Sequence, residues 1–287
     1  MTLFASSRVY WRSLSCFLND IKIAHSIFAL PFAAAALRFA HVGLPTLSQA
    51  LHLLIAMVAA RSWAMGMNRY LDRSIDQKNP RTTLRMIPRG ELSAAHSLGW
   101  SLGWALVLVI TASRFNSQAA WLSIPLLLIL ACYSFTKRFT WFCHWYLGMC
   151  LGLAPLAVSI ALGTAVQASQ WLIAAGVMMW TAGFDIIYSL QDLDFDRKEC
   201  LHSIPVRYGF GGALLISRLC FVVMIGLLTA AGMVEGCSYL YFFGVLLIAA
   251  IMMYEHWLVR DGGNINQAFF TVNSWVGIIF FIFSVIG

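Results

Sequence analysis

Apolar stretches about twenty residues long recur along almost the whole chain, the length at which an α-helix crosses the hydrocarbon core of a bilayer. Nine stand out, over residues 24–42, 47–71, 94–112, 118–136, 141–163, 170–192, 212–233, 238–258 and 267–286. In lipid every backbone polar group must be satisfied within the protein, and runs this long and continuous do so as helices. The expected fold class is an all-α integral membrane protein with nine transmembrane helices. Composition agrees, since 60% of the 287 residues are hydrophobic and 11% charged. A soluble domain carries roughly a quarter charged residues.

The connections between spans alternate in charge. Arg73, Lys78, Arg81, Arg85 and Arg89 follow the second span, Lys137 and Arg138 the fourth, Arg197, Lys198 and Arg207 the sixth, and Arg260 the eighth. The intervening loops are nearly bare: GLPTLSQ, a lone Arg114, GTAVQAS and Glu235. Because basic loops stay on the cytoplasmic side, the N-terminus is expected inside and the C-terminus outside, in a bacterial inner membrane. The opening MTLFASSRVYWRSLSCFLND lacks the continuous apolar core and cleavage site of a signal peptide. Its Arg8 and Arg12, with Lys22, suit a cytoplasmic amphipathic lead-in. The basic balance (net charge +7) tracks this topology, and no nucleic-acid partner is implied. Seven scattered cysteines without a CxxC pair read as small packing residues.

Carboxylates break the apolar pattern in two places. In GMNRYLDRSIDQKNPRT, Asn68, Asp72 and Asp76 recur at intervals of four, and in DIIYSLQDLDFD the series is Asp185, Tyr188, Asp192 and Asp196. Residues three or four apart share a helix face, so each series is expected to form a ladder. Asp194 falls almost opposite Asp192 and reads as a solvated acid. Solvated helix ends balanced by Arg73, Arg81 and Arg197 would explain one such cluster; two on one membrane side point to a wet cavity with a chemical role. Hard oxygens from several aspartates and an asparagine suit Mg²⁺, which is commonly shared with substrate phosphates. The ladders are therefore expected to hold metal, and the metal a diphosphate.

Basic residues flank them. Arg61 lies seven residues before Asn68, inside an apolar span where a guanidinium needs an anion. Arg81 and Arg85 follow the first ladder, and Tyr133 and Lys137 close the fourth span. His25 and His202 are undecided between contact with an acceptor and simple polar packing. Each ladder precedes an Ile-Pro pair, at Ile87-Pro88 and Ile204-Pro205, and follows a proline, Pro31 or Pro155, by about forty residues. This suggests one domain over 1–287, built of two diverged four-helix repeats, about 22–136 and 141–258, plus a ninth helix at 267–286. A secondary transporter is the competing class, although transporter acids usually sit near the bilayer midplane on broken helices.

With NxxxDxxxD at Asn68/Asp72/Asp76 and DxxYxxxDxxxD at Asp185/Tyr188/Asp192/Asp196, the chain resembles the UbiA superfamily of intramembrane aromatic prenyltransferases over nearly its whole length. The resemblance implies nine helices around a central cavity open laterally to lipid, two Mg²⁺ ions and a polyprenyl diphosphate donor. It implies that Asn68, Asp72, Asp76, Asp192 and Asp196 ligate metal. Arg85, Tyr133 and Lys137 match positions around the diphosphate, and Lys22, Arg61, Arg81, Tyr188 and Asp185 positions near the acceptor, with Asp185 able to take the ring proton. The segments KIAHSIFALPFA, AGFDIIYSLQDLDFDR and LHSIP are most similar to the branch that prenylates 1,4-dihydroxy-6-naphthoate on the futalosine route to menaquinone. Enzymes acting on 4-hydroxybenzoate are very similar, and a haem O synthase-like acceptor is a further alternative on the same fold.

Overall fold

The computed structural model describes residues 2–22, 30–41 and 45–287, with side chains from residue 11 onward except Phe269 and Phe270. Every regular element among these residues is helical. In chain order they are α1 (Thr2–Asp20), α2 (Leu30–Phe39), α3 (Leu47–Leu71), α4 (Arg73–Lys78), α5 (Ala94–Ser113), α6 (Ser117–Thr136) and α7 (Cys143–Leu162). There follow α8 (Ala168–Ser189), a 3₁₀ turn (Leu190–Asp192), α9 (Leu193–Lys198), α10 (Ile204–Glu235), α11 (Tyr239–Val259) and α12 (Ile265–Gln267). A π turn (Ala268–Val272) then leads into α13 (Asn273–Ile286).

Seven helical segments among the described residues are long and apolar enough to cross a membrane, beginning at Leu47, Ala94, Ser117, Cys143, Ala168, Ile204 and Tyr239. Two further apolar helices, α2 and α13, are shorter. The start of the first expected span and His25 lie outside the described residues. The ninth span is shorter than its apolar run because π-helical hydrogen bonding takes up Ala268–Val272.

Local chemistry sets the helix ends. Ser93, Ser203 and Ser238 accept backbone N–H bonds at the starts of α5, α10 and α11. Gly163 and Gly236 close α7 and α10 in the left-handed conformation that a Cβ disfavours. The seventh expected span starts at 212, whereas α10 begins at Ile204 because Pro205 and the Ser203 cap initiate it early. Its direction changes at Gly209, whose φ of 69° and ψ of −175° are open only to glycine.

The helices gather into two compact units, one from residues 1–27 and 50–135, the other from 28–49 and 136–287. In the first, Phe17, Ile21 and Leu92 form a buried cluster, and the Trp63 indole N–H donates to the Leu127 carbonyl at 2.8 Å, tying α3 to α6. In the second, α8 packs against both α7 and α10, and α2 against α13 and α7. Gly148 and Gly152 let α7 lie directly on the α8 backbone at Met178 and Ala174. Small residues are what bring helices this close where lipid removes the hydrophobic drive between them.

Candidate active site

Both acidic motifs sit where a long helix gives way to a six-residue one. In the first unit α3 ends at Leu71, Asp72 has φ −91° and ψ 6°, and α4 carries the chain on to Lys78. The bonds Asp72 N–H to Asn68 O (2.9 Å) and Asp76 N–H to Asp72 O (2.8 Å) persist across the bend. The expected straight ladder is thus bent at Asp72. The Asn68 amide nitrogen donates to Asp72 Oδ2 (2.7 Å) and Ser134 Oγ (3.3 Å), while its oxygen accepts from Arg69 Nη1 (3.0 Å). Asn68 therefore orients Asp72, and its oxygen, with one bond from Arg69, keeps a second lone pair. Asp76 is 5% exposed, and its Oδ2 lies 2.5 Å from Arg85 Nη1. Thr82, donating to the Asp76 carbonyl at 3.0 Å, folds the following loop so that Arg85 can reach back.

In the second unit α8 ends at Ser189, a 3₁₀ turn follows, and Asp192 has φ −101° and ψ 3° before α9. Here too the ladder bends, because 3₁₀ bonding shortens the turn at Leu190–Asp192. Asp192 and Asp196 are 5% and 0% exposed. Lys137 Nζ lies 2.7 Å from Asp196 Oδ2, and the Lys137 carbonyl accepts from His202 N–H at 2.7 Å. His202 thus meets this loop through its backbone. Asp194 is exposed, as its phase predicts.

Asp185 is paired with a residue that no sequence spacing marks. His144 is 2% exposed; its Nε2 is 3.2 Å from Ile204 N–H and its Nδ1 2.7 Å from Asp185 Oδ2. Since Ile204 can only donate, Nε2 accepts, and the proton sits on Nδ1 facing the carboxylate. Asp20 is the matching omission in the first unit. Its Oδ1 accepts from Met86 N–H (3.0 Å), and its carbonyl accepts from Arg69 Nε (3.3 Å). The sequence signal was a carboxylate at the end of an amphipathic helix, which looks like any solvated helix end.

The remaining expected residues fall around these centres. Arg61 lies half-buried on α3, and its Nε has no hydrogen-bond partner among the described residues. Tyr133 precedes Ser134 near the end of α6, and Tyr188 stands one turn before Asp192. Arg81 is exposed, its backbone N–H bonded to Asn79 Oδ1 at 2.9 Å. Lys22 adopts a left-handed φ of 49°. Partial burial, then the guanidiniums of Arg69, Arg85 and Arg81, hold its pKa below the ordinary lysine value. The first unit thus concentrates positive charge beside Asp76. At Lys137 burial opposes the charge, but Asp196 and then Asp192 outweigh it and hold the pKa above the ordinary value.

No group of three or more His, Cys, Asp or Glu side chains among the described residues forms a ready-made metal centre. Each turn instead offers a pair of aspartates. The fully buried Asp196 Oδ1 accepts no hydrogen bond from the described residues, which leaves a hard oxygen donor unsatisfied. Such donors fit a hard divalent cation such as Mg²⁺.

The family model for UbiA prenyltransferases matches residues 29–285. The chain belongs to the UbiA prenyltransferase family. It is 31% identical over 249 residues to a 4-hydroxybenzoate octaprenyltransferase of Tolumonas auensis, covering 86% of each chain. The same activity names a relative from Aromatoleum aromaticum, 31% identical over 255 residues and covering 88% of this chain and 85% of that one. The apo structure of a UbiA homologue from Aeropyrum pernix K1 superposes with a TM-score of 0.84 at 30% identity, covering 92% of this chain and 98% of that one. A UbiA homologue from Archaeoglobus fulgidus bound to GPP and Mg²⁺ has a TM-score of 0.73 at 18% identity, covering 94% and 98%, a likeness of fold alone. This UbiA-family member is a prenyltransferase, and its apolar helices suit a bilayer. The transporter reading is set aside.

Proposed function

We propose that the enzyme transfers a polyprenyl group from polyprenyl diphosphate to an aromatic hydroxy acid, with Mg²⁺ held, directly or through water, by Asn68, Asp72, Asp76, Asp192 and Asp196. The observation that carries this is the repeated bend: in each unit the middle aspartate sits at the break and the next is buried against a single cation. The metal would supply Lewis-acid stabilisation of the departing diphosphate. Asn68 fixes Asp72 through the 2.7 Å amide bond and so belongs to the metal-binding turn. Arg85 and Tyr133 in the first unit, and Lys137 in the second, would meet diphosphate oxygens, and the crowded charges of Lys22, Arg69, Arg81 and Arg85 favour a polyanion beside the first turn. Asp185, oriented by His144 Nδ1–H, is the proposed acceptor of the ring proton, with water as the alternative. Arg61 receives the acceptor carboxylate, since a guanidinium within a membrane span requires an anion. Lys22, Arg81 and Tyr188 complete the acceptor surroundings.

For the acceptor we favour 1,4-dihydroxy-6-naphthoate, on the branch resemblance of KIAHSIFALPFA, AGFDIIYSLQDLDFDR and LHSIP; on that reading the product would serve menaquinone synthesis. A second reading, 4-hydroxybenzoate, draws on the activity named for the curated relatives. An apolar pocket separates acceptors by bulk only weakly, on the order of 10–200-fold per methylene. The expected result of equal-concentration competition is prenylated naphthoate with slow turnover of the benzoate, read by mass spectrometry across a series of prenyl diphosphates. Exclusive prenylation of 4-hydroxybenzoate would replace the first reading with the second. The active face is proposed to be cytoplasmic, with the N-terminus inside and the C-terminus outside, from the loop charges.

A further inference from the structure

A groove of about 650 Å³ runs between α10 and α11 on the second unit, away from the acidic turn. Its floor is made by the buried Phe221, Met252 and His256, and its rims by the exposed Val222, Met253 and Trp257. Two guanidiniums, Arg218 and Arg260, border the same groove. Arg218 stands on a face of α10 whose neighbours are the exposed Leu215, Leu219 and Val222, an apolar surface that meets lipid in a membrane protein. Its side chain is exposed, and among the described residues no hydrogen bond or ion pair occupies its guanidinium, which leaves it open to an anion. It lies nine residues beyond the Gly209 bend, about 13 Å along the helix, near enough for its side chain to reach headgroup level. Arg260, just past the end of α11, stacks 5.2 Å from the Trp257 ring and among the described residues bonds the exposed Asp261 at 3.1 Å. Basic residues at one end of an apolar interhelical groove, with a tryptophan at the interface, match the amphiphilic shape of a phospholipid.

We infer that this groove binds an anionic phospholipid of the surrounding bilayer, its phosphate held by Arg218 and Arg260 and its acyl chain laid along Phe221, Ile225 and Met253. A second copy of the chain is a poor occupant, because a two-fold contact would set these cations against themselves. The test uses the purified full chain in detergent, titrated with dioleoyl phosphatidylglycerol or dioleoyl phosphatidylcholine and read as retained lipid by native mass spectrometry. Phosphatidylglycerol should bind at least about tenfold more tightly than phosphatidylcholine. The double variant Arg218→Gln/Arg260→Gln should lose that preference, and Arg114→Gln should keep it. Equal retention of the two lipids by the unaltered protein would overturn the inference, as would full phosphatidylglycerol preference in the double variant. So would displacement of the lipid by an equal concentration of farnesyl diphosphate, which would make the groove a donor site. Should the double variant fail to fold, photoactivatable phosphatidylglycerol on the unaltered protein decides: labelling within 218–225 and 249–260 supports the site, and labelling confined elsewhere rejects it.

Discussion

The two acidic turns share a backbone and differ in what holds their acids. Asp72 and Asp192 have nearly the same dihedrals, each at the entry to a six-residue helix, and Asp76 and Asp196 both lie buried on that helix. In the first turn the partners are local: Asn68 one helical turn away and Arg85 nine residues on. In the second they are remote: Lys137 lies 59 positions before Asp196, and His144 41 positions before Asp185. The acids of the first turn thus meet partners from their own segment, with Ser134 of α6 bracing Asn68. The second depends on the loop before α7, and among the described residues Asp196 Oδ1 has neither a hydrogen bond nor an ion pair.

The strongest way to break this comparison is to remove what the turns are proposed to share. Excess EDTA, Asp72→Ala and Asp192→Ala should each reduce turnover by about a thousandfold or more, equivalent to several kcal/mol of metal assistance. Activity surviving chelation would dissolve the functional equivalence of the two turns, whatever their backbones share.

A sharper test separates them. Asp196→Asn should cost about a hundredfold in kcat/KM and raise the Mg²⁺ concentration needed for half-maximal rate more than Asp76→Asn does. Both acids meet a cation through Oδ2, but Asp196 also keeps a buried Oδ1 without a hydrogen-bond partner among the described residues, which leaves it the more open to metal. Identical Mg²⁺ titrations for the two variants would show that local pairing does not set their contributions.

Remote support should also appear as stability. His144→Ala leaves Ile204 N–H and the Asp185 carboxylate without their partner, at a cost of about 1–3 kcal/mol, measurable as a lower unfolding temperature in detergent. Ser134→Ala, which removes only a 3.3 Å contact to Asn68, should cost about 1 kcal/mol or less. Comparable losses would contradict the contrast between a locally and a remotely braced turn.

The smallest effects belong to the outward-facing charges. Arg73 and Asp194 are exposed on the two short helices, so Arg73→Ala and Asp194→Ala should change the rate less than about twofold. A large loss at either in a steady-state assay would mean that these helices use their outer faces.

Much of the molecule was legible from hydropathy and spacing, because both are local. The run at 47–71 coincides with α3, the next three runs agree with α5, α6 and α7 to within two residues, and the exposure of Asp194 followed from its phase. Bilayer thickness fixes helix length, and 3.6 residues per turn fixes which side chains share a face. The bends at Asp72 and Asp192 were not legible, since intervals of four read equally well as a straight helix and hydrogen bonds that span the bend preserve them. Nor were the partners. Arg85, Lys137 and His144 are each one of many charged or polar residues near a helix end, and which carboxylate each meets depends on the chain folding back, over nine residues for Arg85 and over 59 and 41 for the other two. Sequence therefore determined that acids line the ends of two membrane helices. Tertiary structure decided how they bend and which cation neutralises each, because burying a carboxylate requires a partner that only the packed chain can bring within reach.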